Sequence, residues 1–234
     1  MASHSGKTHE HSKDGAVTSL KEHCDLMRVA IAEAEKSKPV PSAYCVGCVI
    51  VEGGRAERLH QERVGKSRIG GEGEDSKVDE ARQEPLGLHR AGDELRYTFT
   101  GFSRELPGNT HAEECALIKA SEAFEALKGD DAKATLKGCD MYATMEPCSK
   151  RLSGKVPCVE RCLAAGVGRV FVGVREPDHF VRCEGVAQLR EAGVCVIDVR
   201  FPGCEQSCLK PNAHIPGLKA LAERLERREG ANQS

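Results

Sequence analysis

The sequence predicts a layered α/β sandwich built on a mixed sheet of five strands. Two observations carry this. From residue 139 onward, apolar runs and amphipathic segments alternate as strand, helix, strand, helix, strand, an order that favours parallel neighbours. Before that point two strand-like runs follow one another without a helix between them, which favours antiparallel pairing. At 234 residues the chain fits one domain with some length to spare.

The elements read as follows. Residues 1–18 are polar and lack the apolar core of a signal peptide, so a disordered tail is expected, in which His4, His9 and His11 bind metal weakly at most. Over 19–36, Leu20, Cys24, Met27, Ala30, Ile31 and Ala34 approximate one helical face, and Lys38-Pro39-Val40-Pro41 ends it. Residues 45–51 read as a buried strand. Residues 53–92 hold eight Lys/Arg, eight Asp/Glu and eight Gly with no sustained apolar period. Such a stretch cannot bury enough surface to offset chain entropy, so a mobile charged insertion is expected. A second strand follows at 95–102, and Pro107-Gly108-Asn109-Thr110 turns the chain and offers N-cap groups to a helix at 111–128. Then come a strand at 139–145, a helix at 157–165 stopped by Gly166, and a strand at 167–174. A short helix at 186–192, a strand at 194–199 and a last helix at 217–228 complete a single domain over 19–234.

Composition narrows the function. Net charge is −2, aromatics are 4% and Trp is absent. No global basic field attracts nucleic acid or anionic lipid, and few rings are present to stack on bases. Nucleic acid is therefore not an expected partner. No apolar run approaches the roughly 20 residues that span a bilayer. Twelve cysteines without a secretion signal point to a soluble, cytoplasmic protein with reduced thiols.

Three short segments carry the chemistry: His111-Ala112-Glu113, Glu146-Pro147-Cys148 and Pro157-Cys158. One imidazole and two thiolates fill three positions of a tetrahedral zinc (Zn2+) and leave the fourth for water. Predicted helix starts favour thiolate over thiol, and Pro147 and Pro157 suit a first helical turn. Glu113 stands where it can move the protons of that water. The order matches the zinc nucleobase deaminase pattern, His-x-Glu followed by Pro-Cys-x-x-Cys, but nine residues rather than two separate the cysteines. The alternative is a closed structural site with Cys162 as fourth ligand, or three buried residues without metal.

The stretch Thr100-Gly101-Phe102-Ser103-Arg104-Glu105-Leu106-Pro107-Gly108-Asn109-Thr110-His111-Ala112-Glu113-Glu114-Cys115-Ala116-Leu117 resembles the cytidine deaminase-like superfamily. So does Thr144-Met145-Glu146-Pro147-Cys148 through Pro157-Cys158. Within that superfamily both are most similar to the fungal riboflavin-pathway deaminases. The resemblance covers roughly 19–199 apart from the insertion. It implies a three-layer α/β/α sandwich, zinc held by His111, Cys148 and Cys158, and Glu113 as proton carrier. It also implies hydrolytic deamination of 2,5-diamino-6-ribitylamino-4(3H)-pyrimidinone 5′-phosphate by a homo-oligomer, with a dimer favoured. Ser42, Ala43 and Tyr44 align with one wall of the family's base pocket, although Tyr44 equally suits the core. In the long inter-cysteine loop, Lys150, Arg151 and Lys155 with Ser149 and Ser153 supply cations and hydroxyls for the substrate phosphate. A solvated basic loop is the alternative there. For the whole chain the alternatives are deamination of another cytosine-like base, a nucleoside or tRNA adenosine, and a non-catalytic zinc interaction module.

Two further cysteine groupings are set aside. Cys45 and Cys48 point to opposite faces if they lie on a strand, so both are read as core. Cys204, Cys208 and His214 suggest a second metal site only if a helix forms, and Pro202, Gly203 and Pro211 oppose one.

Overall fold

The structure is a computed structural model and describes residues 13–51, 87–91, 94–128, 136–177 and 182–232. Its elements are α1 (Lys13–Glu35), β1 (Gly47–Val51), β2 (Gly87–Ala91), β3 (Glu94–Phe102), α2 (Ala112–Lys128) and β4 (Asp140–Met145). They continue with α3 (Cys158–Ala165), β5 (Arg169–Val174), α4 (Gly185–Glu191), β6 (Cys195–Asp198), α5 (Cys204–Leu209), a 3-10 turn at Lys210–Asn212 and α6 (Leu218–Asn232).

The sheet order is β2-β3-β1-β4-β5-β6. β1 runs antiparallel to both β3 and β4, whereas β4, β5 and β6 are mutually parallel through the α3 and α4 crossovers. The five expected strands are all present, and the mixed pairing is as expected. The sheet nevertheless has six strands, because residues 87–91 pair antiparallel with β3 in the register Gly87↔Thr98 to Ala91↔Glu94. Residues 87–91 of the expected insertion therefore form a strand, and its residues 53–86 and 92 lie outside those described. Five residues of mixed character inside a charged window give no readable period. The outer edge of β3 supplies the partner that makes them a strand. Helix α1 likewise begins at Lys13, inside the expected tail, and residues 1–12 lie outside those described.

Strand residues alternate between two cores, and this alternation makes the layers. Cys48 and Ile50 of β1, Met141 of β4, and Val170 and Val172 of β5 pack with α2, α3 and α4. Val49 and Val51, Tyr142 and Phe171 face the other way, against Leu26, Met27 and Ala30 of α1 and Cys204 and Cys208 of α5. On that second face the rings of Tyr142 and Phe171 stack at 4.4 Å, and His23 of α1 stacks on Phe171 at 4.4 Å. A three-layer α/β/α sandwich results. All twelve cysteines are free. No helix among the described residues is long and apolar enough to cross a membrane.

One close approach sets the seat of the helix that carries His111 and Glu113. A Cβ on Gly101 of β3 would stand 2.4 Å from the Ala112 carbonyl oxygen and 2.6 Å from the Ala116 nitrogen. Both are backbone atoms and cannot swing aside, so only glycine lets α2 lie this close to the sheet. Gly101→Ala is expected to lower unfolding free energy by about 1–3 kcal/mol, the usual cost of overpacking. Urea unfolding measures it, and an unchanged midpoint would refute the packing argument.

Candidate active site

His111 is the residue before α2, and its carbonyl accepts the first helical bond, from Cys115 N at 3.0 Å. Glu114, three residues on, reaches back to accept from the His111 N–H at 3.3 Å, one half of a capping box. This fixes the backbone that carries the imidazole. Cys148 follows β4, whose parallel ladder with β5 is extended by Glu146 N donating to Val174 O at 2.9 Å. Cys158 is the first residue of α3, with Pro157 extended as its N-cap. The α3 start faces Cys148: Val159 N donates to its carbonyl at 3.2 Å, and Cys158 N lies 3.4 Å from its Sγ.

These elements bring three donor atoms together. Sγ of Cys148 and Sγ of Cys158 each lie 3.5 Å from His111 Nδ1. All three donors fall within 4.8 Å of one another. A tetrahedral centre with ordinary zinc–sulfur and zinc–nitrogen bonds separates its nitrogen and sulfur ligands by about 3.6 Å. The donor set therefore fits zinc in both chemistry and spacing. Hydrogen bonds from Cys158 and then His111, working against burial, pull the Cys148 thiol down to about 4, so it is a thiolate at neutral pH. The Cys158 thiol is pushed up by the same shared bond and by burial, so it holds the proton that a divalent cation would replace.

Cys162 does not close the site. It is fully buried in the α2–α3 core, with its Sγ 3.5 Å from Met141 Sδ. Through His111 and Cys148 the donor set instead opens on a cavity of about 140 Å³. Glu113 lines the same cavity, is 3% exposed, and accepts from Cys158 Sγ at 3.5 Å. Burial, helped by the Cys148 charge, raises its pKa above the ordinary carboxylate value.

The walls come from chain that has just left the sheet. Ser42, Ala43 and Tyr44 precede β1, and the Tyr44 hydroxyl donates to Pro177 O at 2.8 Å. Lys150, Arg151 and Ser153 of the inter-cysteine loop form the opposite side. Of the residues expected to contact phosphate, three are otherwise engaged: Ser149 is not among the lining residues, and its Oγ accepts from Glu184 N at 3.0 Å. Arg151 lines the cavity, but its side chain is 1% exposed and ion-paired with Glu114 at 2.8 Å. Its second terminal nitrogen donates to Asn109 O at 2.6 Å. Lys155 is not among the lining residues, and its amine donates to the Gly108 carbonyl.

Ser103, Arg104, Asn109, Glu146 and Glu176 also line the cavity, although the sequence pattern assigns none of them a ligand or substrate contact. Arg104 and Asn109 take positive φ values of 65° and 56°. The Gly108-Asn109 pair was a usable turn signal, since asparagine tolerates this region. Glu176 gives no sequence signal. Its carboxyl is pushed up to about 7, chiefly by burial, with the charges of Cys148, Glu113 and Glu146 adding to it against a hydrogen bond from Cys183. Cys204, Cys208 and His214 do not converge. The two thiols share a face of α5, which does form, and pack into the second core. His214 instead faces the carbonyls of Val40 and Ala43.

Fold and site together are those of a deaminase-type zinc-binding region. The chain belongs to the cytidine and deoxycytidylate deaminase zinc-binding region family, whose model matches residues 20–174. A diaminohydroxyphosphoribosylamino-pyrimidine deaminase of Schizosaccharomyces pombe is 38% identical over 176 residues. That match covers 75% of this chain but 32% of the relative, so the chain spans about a third of the relative's length. The Aspergillus oryzae Rib2 deaminase, solved in complex with DARIPP, is 26% identical with a TM-score of 0.59 over 86% of this chain and 96% of its own. Acinetobacter baumannii RibD is 26% identical with a TM-score of 0.51 over 87% of this chain and 40% of its own.

Glu114 joins the pieces that carry the donors. Besides Arg151 it binds Arg161 of α3 at 2.7 Å. Burial alone would raise its pKa, but bonds from Arg151 and the His111 amide, with both arginine charges, bring it below the ordinary range. A depressed folded pKa means that the stabilisation is complete above the unfolded value of about 4.3 and is lost as pH falls through the folded one. Glu114→Gln is expected to cost about 3 kcal/mol at pH 7, because Arg151 is left buried without its counter-charge. It should also flatten the acid limb of stability against pH. Unfolding curves from pH 7 to 3 with the wild-type slope would contradict this.

Proposed function

We propose that this chain is a zinc-dependent hydrolase that deaminates 2,5-diamino-6-ribitylamino-4(3H)-pyrimidinone 5′-phosphate, a step of riboflavin biosynthesis. The observation that carries the reading is a single cavity whose floor holds His111, Glu113 and Cys148, with Cys158 beside them, and whose rim holds Lys150 and Ser153. The likeness to a fungal pyrimidine deaminase at 38% identity supports the substrate class. The reading assigns His111, Cys148 and Cys158 as ligands, Glu113 as the catalytic acid and base, and Ser42, Ala43 and Tyr44 as ring contacts. Lys150 and Ser153 take the phosphate. Arg151 shapes that rim from behind, with its charge matched by Glu114.

Bound zinc supplies Lewis acidity and a water whose pKa is lowered towards ~7. Glu113 takes a proton from the attacking water and gives it to the ring nitrogen beside the amine-bearing carbon. The water oxygen bonds to that carbon. Glu113 then carries the second proton from the new hydroxyl to the amine. The carbon–nitrogen bond breaks, ammonia leaves and a carbonyl remains. A buried carboxyl with a raised pKa suits both halves of this shuttle. The proposed setting is the cytoplasm, in keeping with twelve free thiols. The same reading expects a homo-oligomer, a dimer first, which light scattering decides.

Glu113→Gln is expected to keep one zinc per chain and to lower kcat by about 10²–10⁴-fold, read as ammonia release. Turnover at the wild-type rate would end the mechanism. Lys150→Ala is expected to raise KM for the phosphorylated pyrimidine about tenfold, a charge-assisted bond's worth, and to leave the dephosphorylated one unchanged. Equal loss on both would remove Lys150 from phosphate binding. Rescue of a riboflavin-requiring strain that lacks this deaminase tests the substrate directly.

A further inference from the structure

Segment 38–45 forms a wall of the cavity, yet it has left the sheet and has no strand beside it. Apart from Ala43 N donating to Val40 O at 3.3 Å, its backbone bonds go to side chains from far away. Where β1 gives way to this segment, three successive amides change partner. Gly47 N donates to Thr144 Oγ1 at 3.1 Å, Val46 N to Ser103 Oγ at 2.9 Å, and Cys45 N to Asn212 Oδ1 at 2.6 Å.

Asn212 does more than end the series. It is fully buried, and its Nδ2 donates to Cys45 O at 3.1 Å and to Cys208 O at 3.4 Å. Its amide thus pairs with both backbone groups of Cys45, as one rung of an antiparallel ladder would. Two residues on, His214 Nε2 lies 3.0 Å from Val40 O and 3.3 Å from Ala43 O. Nδ1 lies 3.2 Å from Pro211 O, so both ring nitrogens face carbonyls, and a proton on Nε2 is donated to the pair on segment 38–45. Arg104 completes the set from the opposite side, donating to Tyr44 O at 3.1 Å and Lys38 O at 2.6 Å.

We propose that Asn212 and His214, which lie beyond the family-matched residues 20–174, are positioning residues that hold segment 38–45 as a fixed wall of the cavity. They touch neither donor set nor cavity, and they act through the backbone of Ala43 and Cys45. The inference rests on the function proposed above only for what meets the wall, the ring of an aminopyrimidine. Loss of Asn212 removes the bonds to both backbone groups of Cys45, loss of His214 leaves Val40 O with the Ala43 amide alone, and the wall moves. Substrate binding then weakens while the proton shuttle stays intact.

The test uses full-length, zinc-loaded protein. Hydrogen exchange read by mass spectrometry on peptides covering 38–46 is expected to quicken about tenfold or more in Asn212→Ala and His214→Ala, the effect of losing a buried bond. Exchange elsewhere should stay as in wild type. His214→Gln, which keeps a donor, should restore slow exchange. With the phosphorylated pyrimidine, KM should rise about tenfold in both alanine variants, while kcat stays within about twofold and zinc content is unchanged. Exchange over 38–46 no faster than wild type would overturn the proposal, as would a rise spread evenly over the chain or a loss confined to kcat. If wild type does not turn over this substrate, the functional reading fails, and the exchange result still decides the positioning.

Discussion

Three donor atoms, contributed by residues 111, 148 and 158, must meet within 4.8 Å, and much of the architecture follows from that requirement. Each donor is delivered by the end of a regular element rather than by free loop. His111 caps α2, Cys148 leaves β4, and Cys158 opens α3. Element ends are stiff in position but have unused backbone amides, so they can aim side chains and stabilise negative sulfur together. The buried Glu114 carboxylate ties the three. It caps α2 through the His111 amide, holds the inter-cysteine loop through Arg151, and holds α3 through Arg161. A single charge well away from the solvent thereby locks helix to loop to helix around the donors.

The placement of the cavity follows from the sheet. β4 and β5 are parallel, and β1 and β3 run against them or against each other so that the start of β1 and the end of β3 lie at the same edge as the ends of β4 and β5. Chain leaving at that edge has to satisfy its polar groups without a ladder. Serine, threonine, arginine, asparagine and histidine side chains do so here. A polar loop at a binding site usually carries mobility. This one is held by groups up to 174 residues away in sequence.

Much of the fold and of the candidate site was legible locally. β1, β4 and β5 are apolar runs between turn residues, and α2 follows a Gly-Asn-Thr turn, so residue type and period identify them. What was missed lacks a local signature. β2 is a strand because β3 offers an edge, not because Leu88 to Ala91 alternate convincingly. α5 forms despite Gly203 before it and Pro211 after it, since its two cysteines have a core to enter. Arg151 reads as a phosphate ligand until Glu114 is seen beside it. Asn212 is one polar residue between Pro211 and Ala213, and nothing near it in the chain announces Cys45.

By itself, the sequence determined the chemistry: which residue types can bind zinc, which carboxylate stands two positions from the histidine, and in what order strands and helices succeed one another. Those properties are local, set by side-chain identity and by periods of two and 3.6 residues. Only the tertiary structure decided that Cys162 turns into the core, so that the donor set stays open to the cavity. It alone decided which loop cations line the cavity, and that Asn212 and His214 bond the backbone of the segment beside it. These are contacts between residues distant in sequence, and whether a charge or an amide is already partnered depends on what the fold brings beside it.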